Sequence, residues 1–361
     1  MSAAGDVNGD GFADLLIGAR FGDGDSNGTI DSGESYVVFG VSNVGSGGSL
    51  ALSTLNGANG FVVNGVAPGD RAGDGVSSGD DINGDGYDDF VIGAPYASVG
   101  DYDSGESYVV FGGSTVGSSG NFDLTSFDGS NGLVLTGNAE NDYAGTSVSI
   151  VGDVNGDGFD DLLVGASGAD PGTSDEGASY LVFGGDFAGS VTHQGTTGDD
   201  LLAGTSGSDI MIGGLGADTL AGSGGSDVLR GGAGDDVLAI SSTTFQRIDG
   251  GSGSDVLRID GSGTTLNLAS TSNLKITSVE TIDLTGSGNN AVTLKASDVL
   301  DLSESNNVLI VMGEAGDIVN ATNESWTDQG VFDGVRTYTS ISGNATLMID
   351  DIITQNIDTG P

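Results

Sequence analysis

Through the first half of the chain, apolar residues come in short runs closed off by glycine. Leu15-Leu-Ile-Gly-Ala19, Phe90-Val-Ile-Gly-Ala94 and Leu162-Leu-Val-Gly-Ala166 are too short for helices and rich in β-formers, so each predicts a buried strand. A second set, Gly33-Glu-Ser-Tyr-Val-Val-Phe-Gly40, Gly105-Glu-Ser-Tyr-Val-Val-Phe-Gly112 and Gly177-Ala-Ser-Tyr-Leu-Val-Phe-Gly184, predicts another strand per unit. Gly60-Phe-Val-Val-Asn-Gly65 returns as Gly132-Leu-Val-Leu-Thr-Gly137, and Ala72-Gly-Asp-Gly-Val76 returns as Ala144-Gly-Thr-Ser-Val148, adding two strands ahead of the first set. Four strands per unit is the content of a propeller blade. Whole blades are expected at about 57–112 and 129–184, with the back half of another at 5–40.

The period shortens at Gly195. Gly195, Gly204, Gly213, Gly222 and Gly231 each begin a nine-residue unit of the form Gly-x-x-Gly-x-Asp-x-apolar-x, and a sixth unit begins at Gly250. Leu202, Met211, Leu220, Leu229, Leu238 and Leu257 hold the apolar position. Residues 240–249 carry one extra residue and no glycine, so a bulged coil is expected there. Residues 261–361 lose the motif but keep β-character, as in Leu274–Leu284, Asn307–Met312 and Ala345–Ile349, and only Ala296–Leu302 suggests a helical turn.

Charge changes the picture more than composition does. Eight basic residues against 52 acidic ones give a net charge of −44, which repels nucleic acid and anionic membranes and opposes a compact state unless cations neutralise it. No cysteine is present, which excludes disulfides, thiolate metal sites and a cysteine nucleophile. No apolar run is long enough to span a membrane, and the amino terminus lacks the basic and apolar regions of a secretory leader.

The acidic residues are patterned. Asp6-Val-Asn8-Gly-Asp10-Gly-Phe12-Ala-Asp14 recurs as Asp81-Ile-Asn83-Gly-Asp85-Gly-Tyr87-Asp-Asp89 and as Asp153-Val-Asn155-Gly-Asp157-Gly-Phe159-Asp-Asp161. Oxygens at loop positions 1, 3, 5 and 9, with the main-chain carbonyl of Phe12, Tyr87 or Phe159 at position 7, suit a hard cation that takes six to eight oxygen ligands, and the reading is Ca²⁺, about three ions in all. An EF-hand would need a glutamate at position 12, where Ile17, Ile92 and Val164 stand, and flanking helices, whereas these loops lead into strands.

Residues 3–187 resemble FG-GAP repeats of the integrin-α propeller and its bacterial relatives. The loops carry the likeness together with Phe39-Gly40, Phe111-Gly112, Phe183-Gly184, Gly18-Ala19, Gly93-Ala94-Pro95 and Gly165-Ala166. The nine-residue units resemble the RTX, or hemolysin-type, nonapeptide. That likeness implies a parallel β-roll in which two units form one coil and calcium lies between stacked turns. It assigns several further Ca²⁺ ions to Asp200, Asp209, Asp218, Asp227, Asp236 and Asp255, pairing Asp200 with Asp218, Asp209 with Asp227, and Asp218 with Asp236. The region after the roll resembles the cap and uncleaved secretion signal of type I exported proteins.

The expected fold is all-β: a partial β-propeller at 1–190 (two whole blades and one half), an RTX β-roll at 191–260 and a β-rich C-terminal cap at 261–361. Catalytic chemistry is sparse. His193 is the only histidine and falls in the linker, so a two-histidine zinc site is excluded. Glu34 and Glu106 read as exposed turn charges, Tyr36, Tyr108 and Tyr180 as blade core, and Trp326 as packed in the cap. The expected protein is a secreted calcium-binding structural or adhesion protein of the cell surface or matrix, not an enzyme, with a protein or glycan ligand. Alternatives are the non-catalytic end of a larger secreted hydrolase or epimerase, and a self-assembling surface component. An unfinished propeller leaves sheet edges that invite pairing with another copy.

Overall fold

The computed structural model describes residues 1–22, 31–41, 48–98, 100, 102–170, 176–303, 307–322 and 325–359. The chain divides into two compact units, one of Met1–Asn155 and Phe159–Ser190, the other of Gly156–Gly158 and Val191–Pro361.

The first unit holds three consecutive sheets of up-and-down strands. β1 (Ser2–Gly5), β2 (Asp14–Ala19), β3 (Glu34–Val38) and β4 (Gly60–Asn64) form the first. The second is β5 (Val76–Asp80), β6 (Asp89–Ala94), β7 (Glu106–Val110) and then, past the short strand β8 (Asn121–Asp123) that joins the first sheet beside β4, β9 (Gly132–Thr136). β10 (Ala144–Ile150), β11 (Leu162–Ala166) and β12 (Ala178–Val182) form the third. The strands lie where the apolar runs placed them, but the phase of the blades differs from the expected one. Tyr36 faces Val62 and Tyr108 faces Val134 across the β3/β4 and β7/β9 pairs, so the Gly-Phe-Val-Val-Asn-Gly segment closes the blade before it and does not open the next. The two blades start at Ser2 and Val76, and the third has three strands among the described residues. In a tandem array every strand has a neighbour on both sides in sequence, and periodicity alone does not say which one it pairs with.

Alternation explains the stacking. Phe90 and Ile92 of β6 point to the first sheet, against Leu16, Val37 and Phe61, while Val91 points to the third, against Ile150, Leu162 and Val164. Every residue of β6 and β7 is buried as a result.

The second unit is a parallel solenoid. Leu202, Leu220, Leu238 and Leu257 lie in register on one wall, and Met211, Leu229 and Ile248 on the other, so two nonapeptides make one coil and the eighth-position residues fill its interior. The turn at 241–246 absorbs the extra residue between Val237–Ile240 and Arg247–Ser252. A separate cap beginning at residue 261 is not what the structure contains. The wall of Val256–Ile259 continues in parallel through Thr281–Asp283, Val308–Met312 and Thr346–Asp350. The longer coils add a third parallel sheet of Thr265–Asn267, Ala291–Thr293, Ile318–Ala321 and Thr354–Ile357. Residue 260 marks a change of motif inside one unbroken core, which also holds the helix Ala296–Leu302 and the buried Trp326.

Candidate metal centres

In the first propeller loop the chain curls around its own side chains. Asp6 accepts main-chain N–H bonds from Asp10 (2.9 Å) and Gly11 (2.7 Å), Asn8 Oδ1 accepts from Asp10 (3.0 Å), and Asp10 Oδ1 accepts from Phe12 (2.9 Å). The second loop repeats this with Asp81, Asn83 and Asp85 at 2.7 to 3.1 Å. The position-9 carboxylate bridges two segments: Asp14, Asp89 and Asp161 each accept from the second loop residue (Val7, Ile82, Val154) and from the glycine of the Phe-Gly pair (Gly40, Gly112, Gly184), all at 2.8 to 3.0 Å. That glycine is required by a close approach. A Cβ on Gly40 would lie 2.2 Å from the Ala13 carbonyl, and one on Gly184 2.4 Å from that of Asp160.

Burial, and after it mutual repulsion, shifts the loop carboxylates in one direction. Burial pushes Asp14 up to about 7, with Asp6 and Asp10 adding to the shift. Asp89 is raised in the same way by burial and by Asp81 and Asp85. Among the described residues no three carboxylate, imidazole or thiol groups gather as a metal cluster. Phe12 and Tyr87 follow in the same turns, their N–H groups donating to Asp10 and Asp85, and Phe159 of the third loop is buried at 1% exposure.

Sequence reading missed the residue at loop position 8. Asp88 accepts from the N–H of Asp6 in the preceding blade, and Asp160 accepts from that of Asp81 at 2.8 Å. The N–H groups of Asp88 and Asp160 donate back to the Asp6 and Asp81 carbonyls, and Gly113 and Gly185 donate to Val7 and Ile82. Asp88 and Asp160 are buried at 3% and 7% exposure and lock each loop to the one before it. The first loop has Ala13 at this position.

In the solenoid the carboxylates form two files. Asp200 N–H donates to Asp218 Oδ1 (2.7 Å), Asp218 to Asp236 (2.7 Å) and Asp236 to Asp255 (2.8 Å); on the opposite side Asp209 donates to Asp227 (3.0 Å). In the first coil Thr196 and Thr205 donate to the other oxygen of Asp200 and Asp209. Deeper in, Oδ2 of Asp218, Asp236 and Asp255 is buried with no hydrogen-bond partner. An ionised oxygen buried without a partner is costly, and in a row of like charges it is costlier still. Burial, with the neighbouring aspartate adding, pushes Asp236 up to about 6 and Asp255 up to about 7.

Each orphan oxygen faces a second acceptor. A Cβ on Gly213 would meet Asp218 Oδ2 at 2.5 Å and the Gly231 carbonyl at 2.4 Å; one on Gly231 would meet Asp236 Oδ2 and the Gly250 carbonyl, both at 2.4 Å. Two facing acceptors with no donor between them fit a cation, and an all-oxygen set fits calcium. When bound, the ion supplies the positive charge that lets these coils stack.

Other residues depart from expectation. Glu106 is not an exposed turn charge: it is 9% exposed and accepts from the Tyr108 hydroxyl. Tyr180 is not core; it is 44% exposed, and among the described residues β12 pairs only with β11. His193 sits in the first coil, with Nδ1 2.9 Å from Thr192 Oγ1 and 3.9 Å from Asp209. An open cleft of about 720 Å³ in the first unit is lined by Tyr96, Tyr102, Tyr108, Phe127, Asp70 and Glu106 among others.

The FG-GAP repeat model matches residues 2–38, 72–110 and 144–182, and the model of the RTX calcium-binding nonapeptide repeat matches 194–220 and 212–239. No curated protein matches the chain. The chain therefore combines three FG-GAP repeats with RTX nonapeptides, and the FG-GAP matches begin in the phase of the observed sheets. Both repeat types are typical of extracellular proteins. The chain is thus a calcium-binding protein of the extracellular type, and among its described residues no helix is long and apolar enough to cross a membrane.

Proposed function

We propose that the chain is a secreted structural or adhesive protein with no catalytic activity of its own, in which extracellular calcium completes the solenoid and the propeller-like unit contacts a partner. The orphaned, buried Oδ2 atoms of Asp218, Asp236 and Asp255 carry the calcium part of this reading, since they leave the second unit electrostatically unfinished without cations. Sites of extracellular type bind at about 10⁻⁴ to 10⁻³ M, which leaves them empty in a cytosol and filled outside a cell. The calcium ligands are the position 1, 3, 5, 7 and 9 residues of the three loops and the six nonapeptide aspartates.

For the partner, the cleft beside Tyr96, Tyr102 and Tyr108 offers aromatic faces flanked by Asp70 and Glu106, a lining that suits a sugar or a basic side chain. Binding of the labelled chain to glycan and peptide arrays, in millimolar calcium and in chelator, is the test. Calcium-dependent binding weakened by Tyr102→Ala is expected, and no binding in calcium would contradict the adhesive role. A second reading, assembly with another chain, is favoured by the outer edge of β12, where Tyr180, Leu181 and Phe183 are 44 to 52% exposed.

A further inference from the structure

We propose that the calcium file does not end with the nonapeptides: Asp255, the main-chain carbonyl of Ser278 and Glu280 form one further calcium position, outside the residues that match the RTX repeat. The inference rests on the reading that the file binds calcium and extends it to a coil whose sequence has no nonapeptide.

The bonding of the file carries over intact. Asp236 N–H donates to Asp255 Oδ1 at 2.8 Å, and Asp255 N–H donates to Glu280 Oε2 at 2.9 Å. Val256 N–H donates to the Asp236 carbonyl at 2.8 Å, and Thr281 N–H to the Asp255 carbonyl at 3.0 Å. Glu280 therefore occupies the next aspartate position, although it follows 25 residues after Asp255 where the earlier steps are 18 or 19. The intervening residues build the first strand of the third sheet, Thr265–Asn267, before the chain returns to the file.

The cradle carries over as well. A Cβ on Gly250 would meet the Ser278 carbonyl at 1.8 Å and Asp255 Oδ2 at 2.7 Å, so Ser278 presents the oxygen that Gly250 presents one coil earlier and Gly231 two coils earlier. Ser278 holds a left-handed backbone with φ of 53°, a conformation a serine keeps only when its surroundings impose it. Asp255 is 1% exposed, and its Oδ2 has no hydrogen-bond partner. A buried carboxylate oxygen thus faces a carbonyl oxygen, with a second carboxylate one step down the file. A hard divalent cation satisfies all three.

Two measurements on the full chain decide it. The first is the calcium anomalous signal from crystals of the unaltered protein grown in calcium. A peak between Asp255 and Glu280, beside peaks between Asp200, Asp218, Asp236 and Asp255, is expected. Peaks at the earlier steps alone would overturn this proposal and leave the calcium file standing, while none along the file would overturn both. The second is the ion count by native mass spectrometry. Glu280→Gln keeps an acceptor for the Asp255 N–H and should bind one calcium fewer than the unaltered chain, and an unchanged count would overturn the assignment.

Discussion

The propeller loops and the solenoid file hold their carboxylates in opposite ways. In a loop, the acidic side chains lie within nine residues of one another and accept N–H bonds from their own turn, so Asp6 and Asp14 are satisfied by main chain before any cation arrives. In the file, successive carboxylates come from different coils, and one oxygen on each of Asp218, Asp236 and Asp255 is left with no donor. A local site can hold its shape through backbone bonding, and calcium tightens it. A non-local site is built only when the coils stack, and the coils stack only when the charge is removed. Folding and binding should therefore be one event in the second unit and separable in the first.

The largest expected effect is at Asp236, which serves two steps of the file. Asp236→Ala should cost on the order of 3–5 kcal/mol in calcium, the scale for removing one partner from a buried ionic set. Chemical denaturation of the second unit would register it, and a loss below about 1 kcal/mol would mean that the file tolerates gaps.

Asp88→Ala comes next. It strands the buried Asp6 N–H and unlocks two blades, so about 1–3 kcal/mol is expected in the first unit by thermal denaturation. Asp160→Ala, which strands the Asp81 N–H in the same way, should cost a similar amount. Losses under about 0.5 kcal/mol for both would show that position 8 does not join one loop to the next.

Acidity should reverse with calcium. Asp14 and Asp255 titrate near 7 and Asp236 near 6 in the folded, metal-free chain, against about 3.9 when unfolded. In chelator the folded state holds protons that the unfolded state has released, so stability falls as pH rises from about 4 to 7. In calcium the ion binds the ionised form, and stability rises over the same window. Melting temperatures at pH 5 and 7 with and without chelator would show the crossover, and parallel trends would contradict it.

Much of this was legible in the residues. The apolar runs gave the strands, the nonapeptide gave both files, and Ala296–Leu302 gave the one α-helix among the described residues. What was not legible depended on pairing. Blade phase is set by the contact of β3 with β4, which a tandem repeat encodes equally well in either direction. Asp88 and Asp160 look like loop neighbours until the adjacent blade is in place. Glu280 is hidden because the file is continued by geometry after an insertion that erases the period. The continuation of the core past residue 260 rests on Ile282, Val311 and Ile349, whose spacing follows coils of unequal length.

Hydrogen exchange of the full chain, read by mass spectrometry in millimolar calcium and then in chelator, tests the contrast between the two units most directly. Amides of Ile210–Leu215, Val228–Ala233 and Val237–Ile240 should lose their protection in chelator, while those of β6 and β7 keep most of theirs. Retained protection across residues 210–240 without calcium, or equal loss in both units, would contradict the account.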